Sequence, residues 1–243
     1  MKLNFKIITS ILLFIITISN YAKVIRDTSI SNFDTTVVCS VYAKAGFLRS
    51  VYTEKNGELN GKYKRWYENG TLKSISTYKN GKSIDTSFSY YESGKIESIC
   101  PYNGVNIVLF ENGDTSGIGY LKNGRHIGEY KSWWKKGTLK SITRYNSSGQ
   151  KHGLSETWFE NGNRKDSVVY DNGKIVEARY YFRNGKLRYT AKLKNGDIVK
   201  AVYFSPDGEK TGEIINGNGT VLIYDVDGIS PSEFKCKDGK WVD

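Results

Sequence analysis

The sequence is poor in the residues that most catalytic and metal centres use. Its 243 residues include 2 His, 3 Cys, 3 Pro and 1 Met. The cysteines, Cys39, Cys100 and Cys236, lack zinc-ligand spacing. No Gly-x-Ser-x-Gly elbow occurs, and neither Gly117-Ile-Gly119 nor Gly217-Asn-Gly219 opens a helix as a phosphate loop must. Beyond the first twenty residues no window holds the 3.6-residue apolar period of a helix, which excludes a coiled coil. No apolar run reaches the roughly 20 residues of a membrane-spanning helix. The chain is therefore expected to be no enzyme, to take no cofactor and no metal, and to have no transmembrane span once mature.

What the chain has in quantity is glycine (25), tyrosine (18) and aromatic side chains generally (14%). Disordered chains are poor in aromatics, so this one is expected to fold. The length allows one large domain or two small ones.

Lys2 and Lys6 precede an apolar run from Ile7 to Ile18, followed by Ser19, Asn20, Tyr21 and Ala22. A basic start, a short apolar stretch and a small closing residue predict a secretory signal peptide over residues 1–22. Cleavage is expected after Ala22, with Ser19 as the alternative. An uncleaved anchor or a buried strand is the competing reading. Export places the chain in a periplasm, on an outer surface or outside the cell. The net charge is +11, and +9 without the leader. The basic residues are scattered singly, which fits a solvated sheet, and export argues against nucleic acid. An odd cysteine count leaves at least one thiol unpaired within the chain. One disulfide is open to it, with Cys236 a candidate, and spacing does not choose the pair.

The dominant signal is a recurring turn. Asn-Gly stands at 56–57, 69–70, 80–81, 103–104, 112–113, 123–124, 161–162, 172–173, 184–185 and 195–196, with Ser-Gly, Lys-Gly and Asp-Gly in the gaps. Each pair predicts a type I′ hairpin turn, whose two positive φ angles suit Asn and Gly. The segments between are short and rich in Tyr, Trp, Ile, Val and Thr, as strands are. Two strands make one repeat: Gly61-Lys-Tyr-Lys-Arg-Trp-Tyr-Glu-Asn-Gly70-Thr-Leu-Lys-Ser-Ile is answered by Gly128-Glu-Tyr-Lys-Ser-Trp-Trp-Lys-Lys-Gly137-Thr-Leu-Lys-Ser-Ile. Weaker copies close at Gly94, Gly113, Gly162, Gly185, Gly208 and Gly228, about eight units in all. The expectation is an all-β fold: an elongated single-layer antiparallel meander over residues 47–228, without significant helix. Residues 23–46 and 229–243 are expected to cap its ends.

Two aromatic columns run through the copies. The first holds Trp66, Tyr90, Leu109, Trp133, Trp158, Tyr181 and Tyr203. The second holds Tyr67, Tyr91, Phe110, Trp134, Phe159, Phe182 and Phe204. Adjacent strand residues point to opposite faces, so each face should carry one row. A single layer cannot bury both faces against itself. One face is covered by curling, covered by a partner, or left as a binding surface. Trp66, Tyr90, Trp133, Trp158, Tyr181 and Tyr203 are the candidate binding residues. His126 and His152, before Gly128 and Gly153, are read as exposed loop residues, and Glu68, Glu92, Glu111 and Glu160 as solvated turn residues. Asp225-Val-Asp-Gly228 lacks the remaining positions of a calcium loop.

The glycine and aromatic offsets from about Phe47 to Gly228 resemble the MORN-repeat variant family, with its unit Gly-x-x-x-x-Trp/Tyr-Tyr/Phe-x-x-Gly-x-Leu. Bacterial members are often labelled antitoxin-like, and relatives are associated with membrane lipids and scaffolding. The resemblance implies a hairpin sheet used for binding, with no catalytic residues. The expected function is an exported, non-enzymatic repeat protein that binds a protein partner or an acidic envelope lipid or glycan. The alternative is an antitoxin-like or immunity protein that sequesters a toxin.

Overall fold

The computed structural model describes residues 13–18, 22–31, 34–43 and 46–242, with side chains described at 24–26, 36–43 and 46–242. Every regular element among them is a strand. The chain divides into two units, Met1–Gly113 and Asp114–Asp243.

In the first unit the strands are β1 (Leu13–Ile18), β2 (Ala22–Ser31), β3 (Asp34–Ala43), β4 (Leu48–Lys55), β5 (Glu58–Leu59), β6 (Gly61–Trp66), β7 (Leu72–Lys79), β8 (Lys82–Ser83), β9 (Ser87–Tyr90), β10 (Ile96–Cys100) and β11 (Gly104–Leu109). All pairings are antiparallel, and the long strands pair in chain order. Most of the predicted leader lies outside the described residues. Its segment Leu13–Ile18 pairs with β2, so cleavage after Ala22 or Ser19 would leave β2 as an edge strand. The segment expected as a cap, 23–46, carries nearly all of β2 and β3.

The second unit holds β12 (Thr115–Lys122), β13 (Arg125–Trp133), β14 (Leu139–Tyr145), β15 (Gly153–Trp158), β16 (Arg164–Asp171), β17 (Lys174–Tyr181), β18 (Leu187–Lys194), β19 (Asp197–Phe204), β20 (Lys210–Ile215), β21 (Gly219–Tyr224), β22 (Pro231–Lys237) and β23 (Lys240–Val242). It is again an antiparallel meander in chain order. The tail expected as a cap provides β22 and β23.

Two kinds of turn occur, which corrects the expectation of type I′ throughout. At Asn56, Asn80, Asn123, Asn172, Asn195, Asn216 and Asp238 both the residue and the following glycine have positive φ, as type I′ requires. The turns ending at Gly70, Gly94, Gly113, Gly137, Gly162, Gly185, Gly208 and Gly228 differ: the glycine N–H donates to the carbonyl three residues back, at 2.8–3.2 Å. In these turns only the glycine has positive φ. This is the turn-plus-bulge hairpin, in which a glycine in the left-handed region follows a type I turn. All eight copies share the glycine's hydrogen bond and positive φ, including those at Gly113 and Gly228 whose sequences depart from the repeat, but at Gly228 the strands stay in register, with Tyr224 opposite Pro231 and no bulge. Asparagine has another use here. The Asn69 Oδ1 accepts the Thr71 N–H at 2.9 Å, while its Nδ2 donates to the Glu92 carbonyl of the next unit's turn at 3.2 Å. Asn161 repeats both bonds, to Asn163 and Arg183.

Register separates the two faces of each unit. In the second unit Ser155, Val168, Ala178, Ala191, Ala201 and Ile214 lie opposite one another in turn, and all six are buried. Beside them on this inner face runs Ser141, Thr157, Asp166, Tyr180, Tyr189, Tyr203, Gly212, Val221 and Phe234. Tyr180, Tyr189 and Tyr203 stack as a ladder with ring centroids 4.5 and 4.9 Å apart. Curling covers this face. Arg183 reaches past an intervening hairpin, donating its N–H to the Val226 carbonyl at 3.0 Å and pairing with Asp227 at 2.7 Å. The Ile198 N–H bonds the Gly239 carbonyl in the same skipping manner, at 3.0 Å. The resulting core gathers Ala191, Ala201, Tyr203, Ile214, Val221 and Cys236. Burying a side chain such as Ile214 or Val221 is worth about 1.5–3 kcal/mol.

The outer face is the odd-even complement. In the second unit it exposes Ile118, Leu154, Ile215 and Leu222. In the first unit the same alternation buries Cys39, Ser50 and Asn106 on one face and exposes Val38 and Val105 on the other.

The described cysteines are all free thiols; Cys39 and Cys236 are buried and Cys100 is exposed. The disulfide left open by the sequence is thus absent among the described residues. Iodoacetamide applied to the native protein should modify Cys100 within the time that spares the other two. Mass spectrometry showing equal labelling of Cys236 would contradict the core assignment.

Candidate binding surfaces

Each column-one residue closes a strand that runs into a bulged turn, and its cross-strand partner is fixed. Trp66 faces Leu72, Tyr90 faces Ile96, Trp133 faces Leu139, Trp158 faces Arg164 and Tyr181 faces Leu187. Such cross-strand pairs, four of the five aromatic–aliphatic, hold a sheet locally, at about 0.2–1 kcal/mol each. All five aromatics are half-buried. Alternation along β6, β13, β15 and β17 puts Trp66, Trp133, Trp158 and Tyr181 on the outer face of their own unit.

Tyr203 does not belong with them. It is buried in the inner-face ladder, opposite Tyr189 and Gly212. The column-one position of that copy is Phe204, which faces Lys210 across the same bulge. Ser205 then takes the column-two position, since its carbonyl accepts the Gly208 N–H.

Column two is structural. The Tyr67 hydroxyl donates to the Tyr90 carbonyl at 2.8 Å, Tyr91 to Leu109 at 2.7 Å, and the Trp134 Nε1 to Trp158 at 3.1 Å. Each polar tip thereby ties a turn to the last strand residue of the next copy. Phe159 and Phe182, with no polar tip, are buried instead. Lysine or arginine covers several of these rings: Lys73 over Tyr67, Lys140 over Trp134 and Arg183 over Phe159, at 4.5–5.0 Å.

In the first unit Trp66 stands among cations. Two shallow clefts of about 190 and 330 Å³ share Arg49, Trp66 and Lys73, the first also lined by Arg65 and the second by Glu68. No carboxylate among the described residues forms an ion pair with Arg49, Arg65 or Lys73. A cleft of about 420 Å³ in the second unit is lined by Arg188, Tyr189, Tyr203, Ile223, Phe234, Trp241 and Val242. The sequence did not single out Arg188, Phe234 or Trp241, because only the curl of the sheet brings them together.

His126 is not a loop residue. It lies in β13 opposite Leu121, with its ring against Tyr130 at 4.9 Å and Tyr145 at 5.4 Å. Its buried Nδ1 has no hydrogen-bond partner among the described residues. Desolvation holds its pKa below the usual value. The folded chain resists a proton that the unfolded chain accepts below about pH 6.5. The contribution of neutral His126 is therefore complete above that pH and declines as the pH falls toward the depressed folded value. His126→Phe should flatten the loss of Tm between about pH 7.5 and pH 5. An unchanged pH profile would refute the assignment. His152, in contrast, is exposed beside Asp171 at 3.5 Å, as the sequence suggests.

The carboxylates serve turns. Glu68, Glu92, Glu111 and Glu160 are exposed. The Asp225 Oδ1 accepts the N–H groups of Asp227 at 3.1 Å and Ile229 at 2.9 Å, which keeps its carboxyl below the ordinary range. Among the described residues no group of three His, Cys, Asp or Glu side chains is placed to hold a metal.

Strand order, two recurring kinds of turn and ring columns together define an antiparallel hairpin-repeat protein. Four of its hairpins are similar to MORN repeats: the family model described as MORN repeat variant matches residues 59–80, 86–103, 151–172 and 174–195. Each match covers a hairpin closed by a bulged turn. The hairpins closing at Gly113, Gly137 and Gly208 continue the same geometry outside the matched segments. No curated protein matches the chain.

Proposed function

We propose that this is an exported, non-enzymatic repeat protein that holds a protein or cell-envelope partner on the outer face of its sheet. MORN repeats are modules that bind proteins or lipids, which supports a binding or scaffold role. The observation that carries the reading is the asymmetry of the faces. In the second unit the inner face from Ser155 to Ile214 is filled by the protein's own core. The outer face keeps Leu154 38% and Ile215 51% exposed and carries Trp133, Trp158 and Tyr181. Large apolar side chains exposed among charged neighbours are what an interaction surface requires. The leader pattern of Lys2, Lys6 and Ile7–Ile18 supports export. No helix among the described residues is long and apolar enough to cross a membrane.

Fractionation of the native cell with N-terminal sequencing tests export. A start at Lys23, or at Asn20, in an envelope or external fraction is expected. An intact Met1 in the cytoplasm would overturn export, and a toxin copurifying there would establish the sequestering role instead.

A further inference from the structure

The cleft at the end of the second unit sets one cation beside apolar walls; Tyr203 belongs to the core and Tyr189 and Ile223 pack against it, while Arg188, Phe234, Trp241 and Val242 lie outside it. The Arg188 Nε donates to the Tyr224 carbonyl at 2.8 Å, which fixes the guanidinium at the cleft wall. That bond uses one of five donors, and no carboxylate among the described residues forms an ion pair with Arg188. Trp241 also lines the cleft, edge-on to Tyr203 at 6.4 Å and to Phe234 at 5.9 Å, together with Ile223 and Val242. Phe234 and Trp241 are exposed at 43% and 45%, so the cleft opens to solvent. Its volume of about 420 Å³ falls in the range of small-ligand sites.

We propose that this cleft binds an apolar group bearing a carboxylate, of the kind found at the end of a peptide chain whose last side chain is large and apolar. A guanidinium held by its Nε presents its remaining N–H groups in the fork that a carboxylate accepts. Among the described residues Arg188 is the one charged member of the lining, which suits a singly charged group better than a phosphate. A sugar ring would need partners for several hydroxyls. Among the described residues the lining offers two phenols besides Arg188, and the Tyr189 ring is stacked between Tyr180 and Tyr203. The apolar walls take the body of the ligand. The proposal goes beyond the outer-face reading and stands independently of it.

Isothermal titration of the whole protein with the peptide N-acetyl-Gly-Gly-Phe, as free acid and as C-terminal amide, tests it. The acid should bind at least tenfold more tightly than the amide. Arg188→Gln should erase that preference, while Arg179→Gln, which alters only the ion pair with Glu177, should keep it. Should Arg188→Gln fail to fold, Trp241→Ala on the exposed final strand provides the second readout, with an expected loss of about tenfold for the acid. A third probe, 3-phenylpropionate, locates the source of the carboxylate. Weaker binding than the peptide assigns the cleft to chain ends, and equal binding assigns it to small aryl acids. Equal affinity for acid and amide, binding of neither, or an acid preference that survives Arg188→Gln would overturn the proposal.

Discussion

Phe182→Ala should destabilise the second unit by about 3–5 kcal/mol, the cost of emptying a buried phenylalanine site. Phe182 is 1% exposed and stands at the start of the turn ending at Gly185. Its ring edge lies 3.9 Å from where a Cβ on Gly228 would sit, so it packs against a turn two copies further on. Beside it, the Arg183 bonds to Val226 and Asp227 hold the curl. Removing the ring thus empties a core site and loosens the closure of the sheet. In a unit of this size the loss corresponds to a fall in Tm on the order of 10 °C, measurable by calorimetry. Phe110→Ala, in the half-buried equivalent position of the first unit, should cost less. Equal effects would mean that curling adds nothing at Phe182.

Gly219→Ala should be harsher, at more than about 4 kcal/mol, the range reserved for gross steric conflict. A Cβ at Gly219 would fall 2.2 Å from the Glu213 carbonyl oxygen and 3.2 Å from the Ile214 Cα. Both are backbone atoms of β20, so no side-chain rotation relieves the clash. β20 and β21 must separate, and with them Ile214 and Val221 leave the core. Gly173→Ala is the control. There φ is +87° and nothing lies within 4 Å of a new Cβ, so the substitution meets only the left-handed backbone penalty of about 1–2 kcal/mol. Urea melts of the two variants should differ clearly in midpoint. Similar midpoints would contradict the close approach of β20 and β21.

The positions of the turns were legible because asparagine and glycine recur at hairpin spacing. Their type was not, because asparagine serves both kinds. At Asn172 it supplies a positive φ, while at Asn161 it supplies a side-chain acceptor and donor with ordinary backbone. The column positions were legible wherever both aromatics were present. At Gly208 the column-two residue is Ser205, so spacing to the nearest aromatics shifts the copy by one and moves Tyr203 onto the wrong face. Periodicity cannot show which face curls inward. That depends on contacts such as Arg183–Asp227, between residues that no local pattern links. Arg188, Phe234 and Trp241 were missed for the same reason. His126 reads as a loop residue because it stands in the short link between Asn123-Gly124 and the repeat-start Gly128. The type I′ turn is tight, however, and β13 begins at Arg125.

The central claim is that the sheet closes one face on itself and offers the other to a partner. Site-specific photo-crosslinking in the native host tests this most directly. A photoreactive phenylalanine analogue would replace Leu154 or Ile118 on the outer face, and in separate cells Tyr145 on the inner face. The account predicts one recurring adduct from both outer positions and none from Tyr145. An adduct from Tyr145 with none from Leu154 or Ile118 would contradict it.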